Sequence, residues 1–170
     1  MIIAFYIIVL IFSVIVHEVA HGFVALHFGD QTAKNAGRLT LNPFKHLDPF
    51  GSVLLPLLLA FSHLPVFGWA KPVPYDPRNL RHPKRESGYI AVAGPLTNLF
   101  VAVVFAILVR VLVATIGLAQ YGTLIVLLDV VVWVNLALTF FNLIPIPPLD
   151  GSGVLFSLLP PSARPFELLM

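Results

Sequence analysis

The sequence predicts an all-α polytopic membrane protein with three spanning helices, a re-entrant membrane segment that carries a short β-hairpin, and a short C-terminal helix after a Leu-Asp-Gly motif. The 170-residue chain is 58% hydrophobic and 11% charged, and its mean hydropathy of +0.94 lies outside the range of soluble domains. Three apolar runs are long enough to cross a bilayer, whereas prolines interrupt a fourth. We expect one membrane-embedded domain over residues 1–170.

The predicted spanning helices occupy residues 2–28, 88–116 and 123–144. Each exceeds the roughly 20 apolar residues that a bilayer-crossing helix needs. The first run lacks the basic start and the small-residue cleavage site of a signal peptide, so we expect it to remain as a membrane helix.

The remaining apolar run, residues 50–75, contains Pro56, Pro65, Pro72 and Pro74. Proline removes a backbone donor and breaks helices, and the alternating prolines at the end of this run favour an extended backbone. We therefore expect a re-entrant segment with edge-strand character, buried in protein or lining a cavity.

Basic residues predict the orientation of the chain. They cluster in the loops at residues 29–49 and 70–87, and such loops favour the cytoplasmic side. Both loops share that side only if residues 50–75 are re-entrant. The next two helices then return the chain to the same side, so that His21 and Asp150 lie at one face. We expect a multi-pass protein of the cell membrane with its basic loops and active site toward the cytoplasm.

The HEVAH motif at residues 17–21 places two imidazoles and a carboxylate inside an apolar run. Ionisable side chains cost roughly 2.5–3.5 kcal/mol each at the centre of a membrane helix. His17 and His21 are one turn apart on the same helix face, so their ring nitrogens can bind one metal ion. Glu18 lies about 100° around the axis, beside the metal, where it can serve as a general base toward water.

The alternative for HEVAH is a pair of core histidines bonded to neighbouring helices. That alternative does not account for three costly groups at catalytic spacing in one helix. We expect one zinc ion per chain, because zinc accepts imidazole and carboxylate, and catalytic zinc sites use three protein ligands. The chain has no cysteine, so every ligand must be nitrogen or oxygen.

Asp150 is the expected third ligand because it lies at the depth of the histidines. It follows a helix end that is interrupted by prolines and precedes Gly151, which permits a close backbone approach. Taken alone, the PIPPLDG stretch at residues 145–151 is equally compatible with a plain turn. Five other acidic residues belong to exposed loops or to the far leaflet: Asp30, Asp48, Asp76, Glu86 and Asp129.

Asn98 and Asn142 fall near the depth of the proposed metal, at the cytoplasmic ends of the second and third spanning helices. Either amide can donate to a developing oxyanion or orient a metal ligand. Hydrogen bonding between helices is the alternative, and it suits Asn135 better. We count Asn98 and Asn142 as candidate catalytic residues.

The motifs HEVAHG, GWAKPVP, AGPLTN and NLIPIPPLDG, in this order, resemble the site-2 protease family of intramembrane zinc metallopeptidases. The resemblance implies that His17, His21 and Asp150 hold zinc, that Glu18 activates water, and that Asn142 and Asn98 assist. It also implies a membrane-embedded hairpin around GWAKPVP that holds an unwound substrate as an added strand. Larger members carry PDZ or CBS domains, and many continue into further membrane segments beyond the position of residue 170.

These features predict a zinc metalloendopeptidase that cleaves transmembrane segments of membrane proteins near the cytoplasmic leaflet. Its expected partners are the lipid bilayer and a transmembrane protein substrate. The formal net charge is only +2, so the chain lacks the strongly basic surface that nucleic-acid binding requires, and we expect no nucleic-acid partner. The alternative function is a catalytically silent zinc-binding membrane scaffold, which would need the ligands but not Glu18. The oligomeric state, the substrate and its cut position do not follow from the sequence.

Overall fold

The structure is a computed structural model that describes residues 2–54, 58–59, 61–62, 71–116 and 118–160. Its α-helices are α1 (Ile2–His27), α2 (Thr32–Asn35), α3 (Pro83–Ile116), α4 (Leu118–Asn142) and α5 (Asp150–Leu158). Short 3-10 turns cover Pro43–Lys45 and Pro77–Asn79, and a π-helical turn covers Pro49–Leu54. The described residues are therefore mostly helical.

Three of these helices are long and apolar enough to cross a membrane: Ile3–His27, Pro83–Thr115 and Gly122–Asn142. They confirm the three predicted spanning helices. Helix α3 begins at Pro83 rather than at residue 88, because proline suits the first helical position and Glu86 complements the helix dipole in the first turn. The short helix expected after the Leu-Asp-Gly motif is α5, which begins at Asp150 itself.

The predicted β-hairpin is not found among the described residues, which contain no β-strand. Over residues 71–76 the backbone bonds mostly to side chains and not to a second strand, and one backbone partner, the carbonyl of His46, accepts from the N–H of Lys71. Arg38 donates to the carbonyls of Lys71 and Pro72, and the N–H of Val73 donates to Glu18. Pro72 and Pro74 also lack the N–H that a strand ladder needs. The rest of the expected re-entrant segment, at residues 55–57, 60 and 63–70, lies outside the described residues.

Helix α1 packs against both α3 and α4, and α3 packs against both α4 and α5. Helix α5 approaches α3 closely at Gly153, where an added Cβ would lie 2.9 Å from the Cβ of Ala91. Large apolar side chains such as Phe100, Trp133 and Phe140 remain exposed on the outer faces of the long helices. Exposure of that kind suits helices whose solvent is lipid.

Asp30 connects the C-terminal end of α1 to the loop that precedes α3. Its fully buried carboxylate accepts hydrogen bonds from the N–H and hydroxyl of Thr32, from the N–H of Asp76 and from the amide of Asn79. Burial acts to raise the pKa of Asp30, but the hydrogen bonds from Thr32, Asn79 and Asp76 outweigh it and lower that pKa. The loop at residues 76–79 is thereby fixed against the end of α1.

We expect Asp30→Asn to destabilise the protein by about 2 kcal/mol, because an amide cannot accept all of these hydrogen bonds. The folded state lowers the pKa of Asp30. The stability that the ionised carboxylate contributes is therefore fully present above a pH of about 4, the ordinary pKa of an aspartate side chain. The contribution is lost as the pH falls through the folded-state pKa. Thermal unfolding in detergent at pH 7 and at pH 3 measures both effects.

Asp76→Asn is the control for this prediction. The Asp76 carboxylate pairs with Arg78, whose side chain is 90% exposed, and exposed ion pairs contribute little. Equal destabilisation by both substitutions would contradict the role assigned to Asp30.

Candidate metal centre

His17, His21 and Asp150 converge at one point between α1 and the start of α5. The Nε2 atoms of His17 and His21 lie 3.0 Å and 3.3 Å from Oδ2 of Asp150. Each residue offers one ligand atom, and these atoms lie within 4.8 Å of one another. Among the described residues this is the one group of three or more such side chains with metal-binding geometry.

Both imidazoles are oriented through their other ring nitrogen. Nδ1 of His17 lies 2.7 Å from Oδ1 of Asn98, and Nδ1 of His21 lies 2.6 Å from the backbone carbonyl of Ile90. Each carbonyl oxygen can only accept, so each Nδ1 carries the proton and donates. The Nε2 atoms of the neutral rings therefore present lone pairs toward Asp150, as metal-binding histidines do.

Asp150 contributes a negative charge to this point. Burial acts to raise the pKa of its carboxyl group, but imidazoles that carry a proton on Nε2 outweigh burial and lower that pKa to about 2. Two lone pairs and a carboxylate oxygen at 3.0–3.3 Å require a positive charge between them. That charge is either a proton on an imidazole or a cation that all three atoms bind.

The geometry favours the cation. Oδ2 of Asp150 is buried without a hydrogen bond of acceptable direction, although both Nε2 atoms lie at ion-pair distance. Ligand atoms of a tetrahedral zinc site stand about 3.3 Å apart when each is about 2.0–2.1 Å from the metal. The three side chains therefore fit zinc.

Gly94 of α3 provides the space in front of the imidazoles. A Cβ at this position would lie 2.5 Å from Nε2 of His17 and 2.5 Å from Nε2 of His21. Atoms cannot approach that closely, so the site depends on the missing side chain. Within the AGPLTN motif, Asn98 was the predicted functional residue and Gly94 was not predicted. The glycine beside Pro95 within an apolar helix was the available signal.

Glu18 lies in the same cleft but is not part of the ligand cluster. The cleft has a volume of about 320 Å³, and His17, Glu18, His21 and Asp150 all line it. Oε2 of Glu18 accepts a hydrogen bond of 2.8 Å from the backbone N–H of Val73. The carboxylate is thus held beside the metal position, as the helical spacing predicts.

The backbone just before Val73 is held by Arg38, whose side chain is buried. The guanidinium donates to the carbonyls of Lys45, Lys71 and Pro72, and the N–H of Lys71 donates to the carbonyl of His46. A planar guanidinium can donate to several acceptors at once from one fixed position. The sequence analysis missed both Arg38 and Val73, because only the folded loops bring them to α1.

The two candidate asparagines differ in position. Asn142 lines the cleft, and its amide nitrogen donates to the carbonyl of Leu138. Asn98 is only 1% exposed and uses its oxygen toward His17 and its nitrogen toward Asn135. Of the alternatives considered for Asn98, the geometry favours orienting a metal ligand. Asn135, expected to bond between helices, does so through Asn98 and Ser13.

A family model described as Peptidase family M50 matches residues 110–167. The Bacillus subtilis protein YwhC, whose provisional name is zinc metalloprotease, is 43% identical over 162 residues, which cover 93% of this chain and 70% of YwhC. The Mycolicibacterium smegmatis protein Rip2, which has the same provisional name, is 32% identical over 158 residues. This alignment covers 89% of the present chain and 56% of Rip2, so the chain spans little more than half of that relative. No solved structure gives a significant match.

We expect Gly94→Ala to remove most of the zinc that copurifies with the protein, because the new methyl group would collide with both Nε2 atoms. Metal analysis of the purified protein measures the effect. Gly122→Ala is the matched control, since a Cβ there meets no atom within 4 Å. Both variants should elute as folded monodisperse protein. Full zinc content in folded Gly94→Ala would contradict the position assigned to the metal.

Proposed function

This chain belongs to peptidase family M50, the site-2 protease family, and from that premise we propose that it is an intramembrane zinc metalloendopeptidase. Its proposed substrates are transmembrane segments of membrane proteins, cut near the cytoplasmic leaflet. One observation carries the proposal: three zinc-type ligand atoms and a separate carboxylate share one cleft that three apolar helices position.

His17, His21 and Asp150 are the proposed ligands of a single zinc ion. When bound, zinc supplies Lewis acidity, which polarises a peptide carbonyl and acidifies water. The chain contributes by fixing both imidazoles through Nδ1 and by placing the Asp150 carboxylate next to both Nε2 atoms. The two imidazoles and the single carboxylate match the ligand set of known catalytic zinc sites.

Glu18 is the proposed general base and acid. Its carboxylate takes a proton from the attacking water and later returns that proton to the leaving amine. The Val73 N–H binds one carboxylate oxygen, Oε2, which leaves the other oxygen to face the cleft. A catalytically silent scaffold would have no use for this fixed carboxylate, so its placement favours the enzyme.

Asn142 is the proposed donor to the oxyanion, because its side chain lines the cleft. Asn98 is proposed to act indirectly, since its buried amide is used by His17 and Asn135. These assignments give the two asparagines different expected defects. Loss of Asn142 should lower the rate of cleavage, and loss of Asn98 should weaken metal binding.

A transmembrane substrate must be locally unwound before its peptide bond is accessible, because a helix hides its carbonyls in hydrogen bonds. We propose that the loop at residues 71–76 borders the unwound substrate. The cleft positions of Pro72, Val73 and Tyr75 support this arrangement. The basic loops at residues 29–49 and 70–87 support a cytoplasmic orientation in the cell membrane.

We expect Glu18→Gln to retain zinc and to lower cleavage by a factor of about 10² to 10⁴. The amide oxygen of glutamine can still accept the Val73 N–H, but the side chain no longer takes up a proton. The test uses the purified protein reconstituted into vesicles with a single-pass membrane substrate, and product is followed by gel electrophoresis. Equal cleavage by parent and variant would remove Glu18 from the mechanism.

We expect Asp150→Ala to reduce the zinc content well below one ion per chain, because two neutral imidazoles alone hold zinc weakly. Metal analysis after purification measures the content. Asp129→Ala is the control, because Asp129 also lies near the chain's apolar helices but outside the ligand cluster. Unchanged zinc in Asp150→Ala would mean that another group is the third ligand.

A further inference from the structure

We propose that Asn135 of α4 is a positioning residue for the metal centre: it fixes the amide of Asn98 so that the oxygen, not the nitrogen, faces His17. The inference rests on the zinc-binding role proposed above. Asn135 does not line the cleft that contains the metal position. It is neither a proposed zinc ligand nor a proposed catalytic residue.

A continuous chain of hydrogen bonds joins α1, α3 and α4. Oδ1 of Asn98 lies 2.7 Å from Nδ1 of His17, and Nδ2 of Asn98 donates to Oδ1 of Asn135 over 2.9 Å. Nδ2 of Asn135 donates to the carbonyl of Val131 over 2.8 Å and to the hydroxyl of Ser13 over 3.0 Å. Asn98 and Asn135 are each 1% exposed, so solvent cannot replace these partners.

The direction of this chain is set at its far end. A carboxamide can present either its oxygen or its nitrogen to a neighbour, so an amide pair alone has two possible directions. The carbonyl of Val131 can only accept, which requires Nδ2 of Asn135 to face it. Oδ1 of Asn135 must then face Asn98, and Asn98 must turn its own oxygen toward His17.

Without Asn135, little would hold the Asn98 amide in this direction. Its remaining acceptor is the carbonyl of Ser13, at 3.4 Å, which is near the limit of a hydrogen bond. A reversed amide would donate to Nδ1 of His17 and leave the proton on Nε2. In that tautomer Nε2, the nitrogen that faces the metal position, has no lone pair to offer, so the direction of a buried amide controls one of the three ligands.

His21 provides an internal comparison. Its Nδ1 donates to the backbone carbonyl of Ile90, which belongs to helix α3 and cannot reverse. The tautomer of His21 therefore needs no further support. A disturbance of Asn135 should alter His17 and leave His21 as it is.

Asn135→Leu tests the proposal, with Thr139→Val as its matched control. Thr139 lies one turn further along α4 and is 2% exposed, and its hydroxyl lies 2.8 Å from the backbone carbonyl of Asn135 and 3.2 Å from that of Pro95 in α3. Its removal costs a buried hydrogen bond at the same contact of α3 and α4 without changing the side-chain amides of Asn98 and Asn135. Asn135→Ser serves as a milder second variant, because a hydroxyl keeps a polar group but can donate or accept and so imposes no direction.

Two readouts are measured on the full-length protein in detergent. Competition with a chelator gives the zinc dissociation constant. Nitrogen NMR of ¹⁵N-histidine-labelled, metal-free protein gives the tautomer of each imidazole, with His17 assigned from the signal missing in His17→Ala. Thermal unfolding is recorded for every variant, so that a general loss of stability is seen separately.

We expect Asn135→Leu and Asn135→Ser to weaken zinc binding by about tenfold. This is the lower end of the loss in metal affinity that follows when a residue supporting a metal ligand is removed. Both should increase the fraction of His17 with its proton on Nε2 and leave His21 unchanged. Thr139→Val should match the parent in zinc affinity and in both tautomers while losing thermal stability.

The proposal would be overturned if the folded Asn135 variants had the same zinc affinity and the same His17 tautomer as Thr139→Val. The proposed function would stand in that case. A parent protein that binds no zinc would instead contradict the proposed function, and the tautomers of the metal-free protein would still decide the role of Asn135.

Discussion

The structure depends on the convergence of two imidazole lone pairs and one carboxylate in a setting with little water. His17, His21 and Asp150 direct electron-rich atoms to one point at 3.0–3.3 Å, and such an arrangement is stable only around a positive charge. Helix α5 begins at Asp150 so that the carboxylate reaches that point, and Gly94 leaves the space open. The packing of α1, α3 and α5 therefore brings these three atoms together in an arrangement that a bound cation would stabilise.

The membrane setting explains why the supporting polar groups form a complete network. Unpaired polar atoms inside apolar surroundings are costly, and membrane helices associate through hydrogen bonds as well as through close packing. Ser13, Asn98 and Asn135 bond to one another and to the backbone carbonyl of Val131. One set of hydrogen bonds thus serves two purposes, since it holds three helices together and orients His17.

Glu18, the proposed general base, is supported by loops rather than by helices. Arg38 holds the backbone of residues 71–72, and the next residue, Val73, donates to Glu18. Asp30 fixes the following part of the same loop through Asp76 and Asn79. The ligands and the base therefore rest on separate supports, and a change in the loops can move Glu18 without displacing the metal ligands.

The sequence by itself determined the three spanning helices, the face shared by His17 and His21, and the chemical type of the site, because hydropathy and helical periodicity are local properties of the chain. It also indicated Asp150 through its depth. Only the tertiary structure decided the roles of Gly94 and Val73, since each acts through a residue more than fifty positions away. The expected strand was wrong for residues 71–76 because their backbone groups found side-chain partners from distant loops, and no local pattern records such partners.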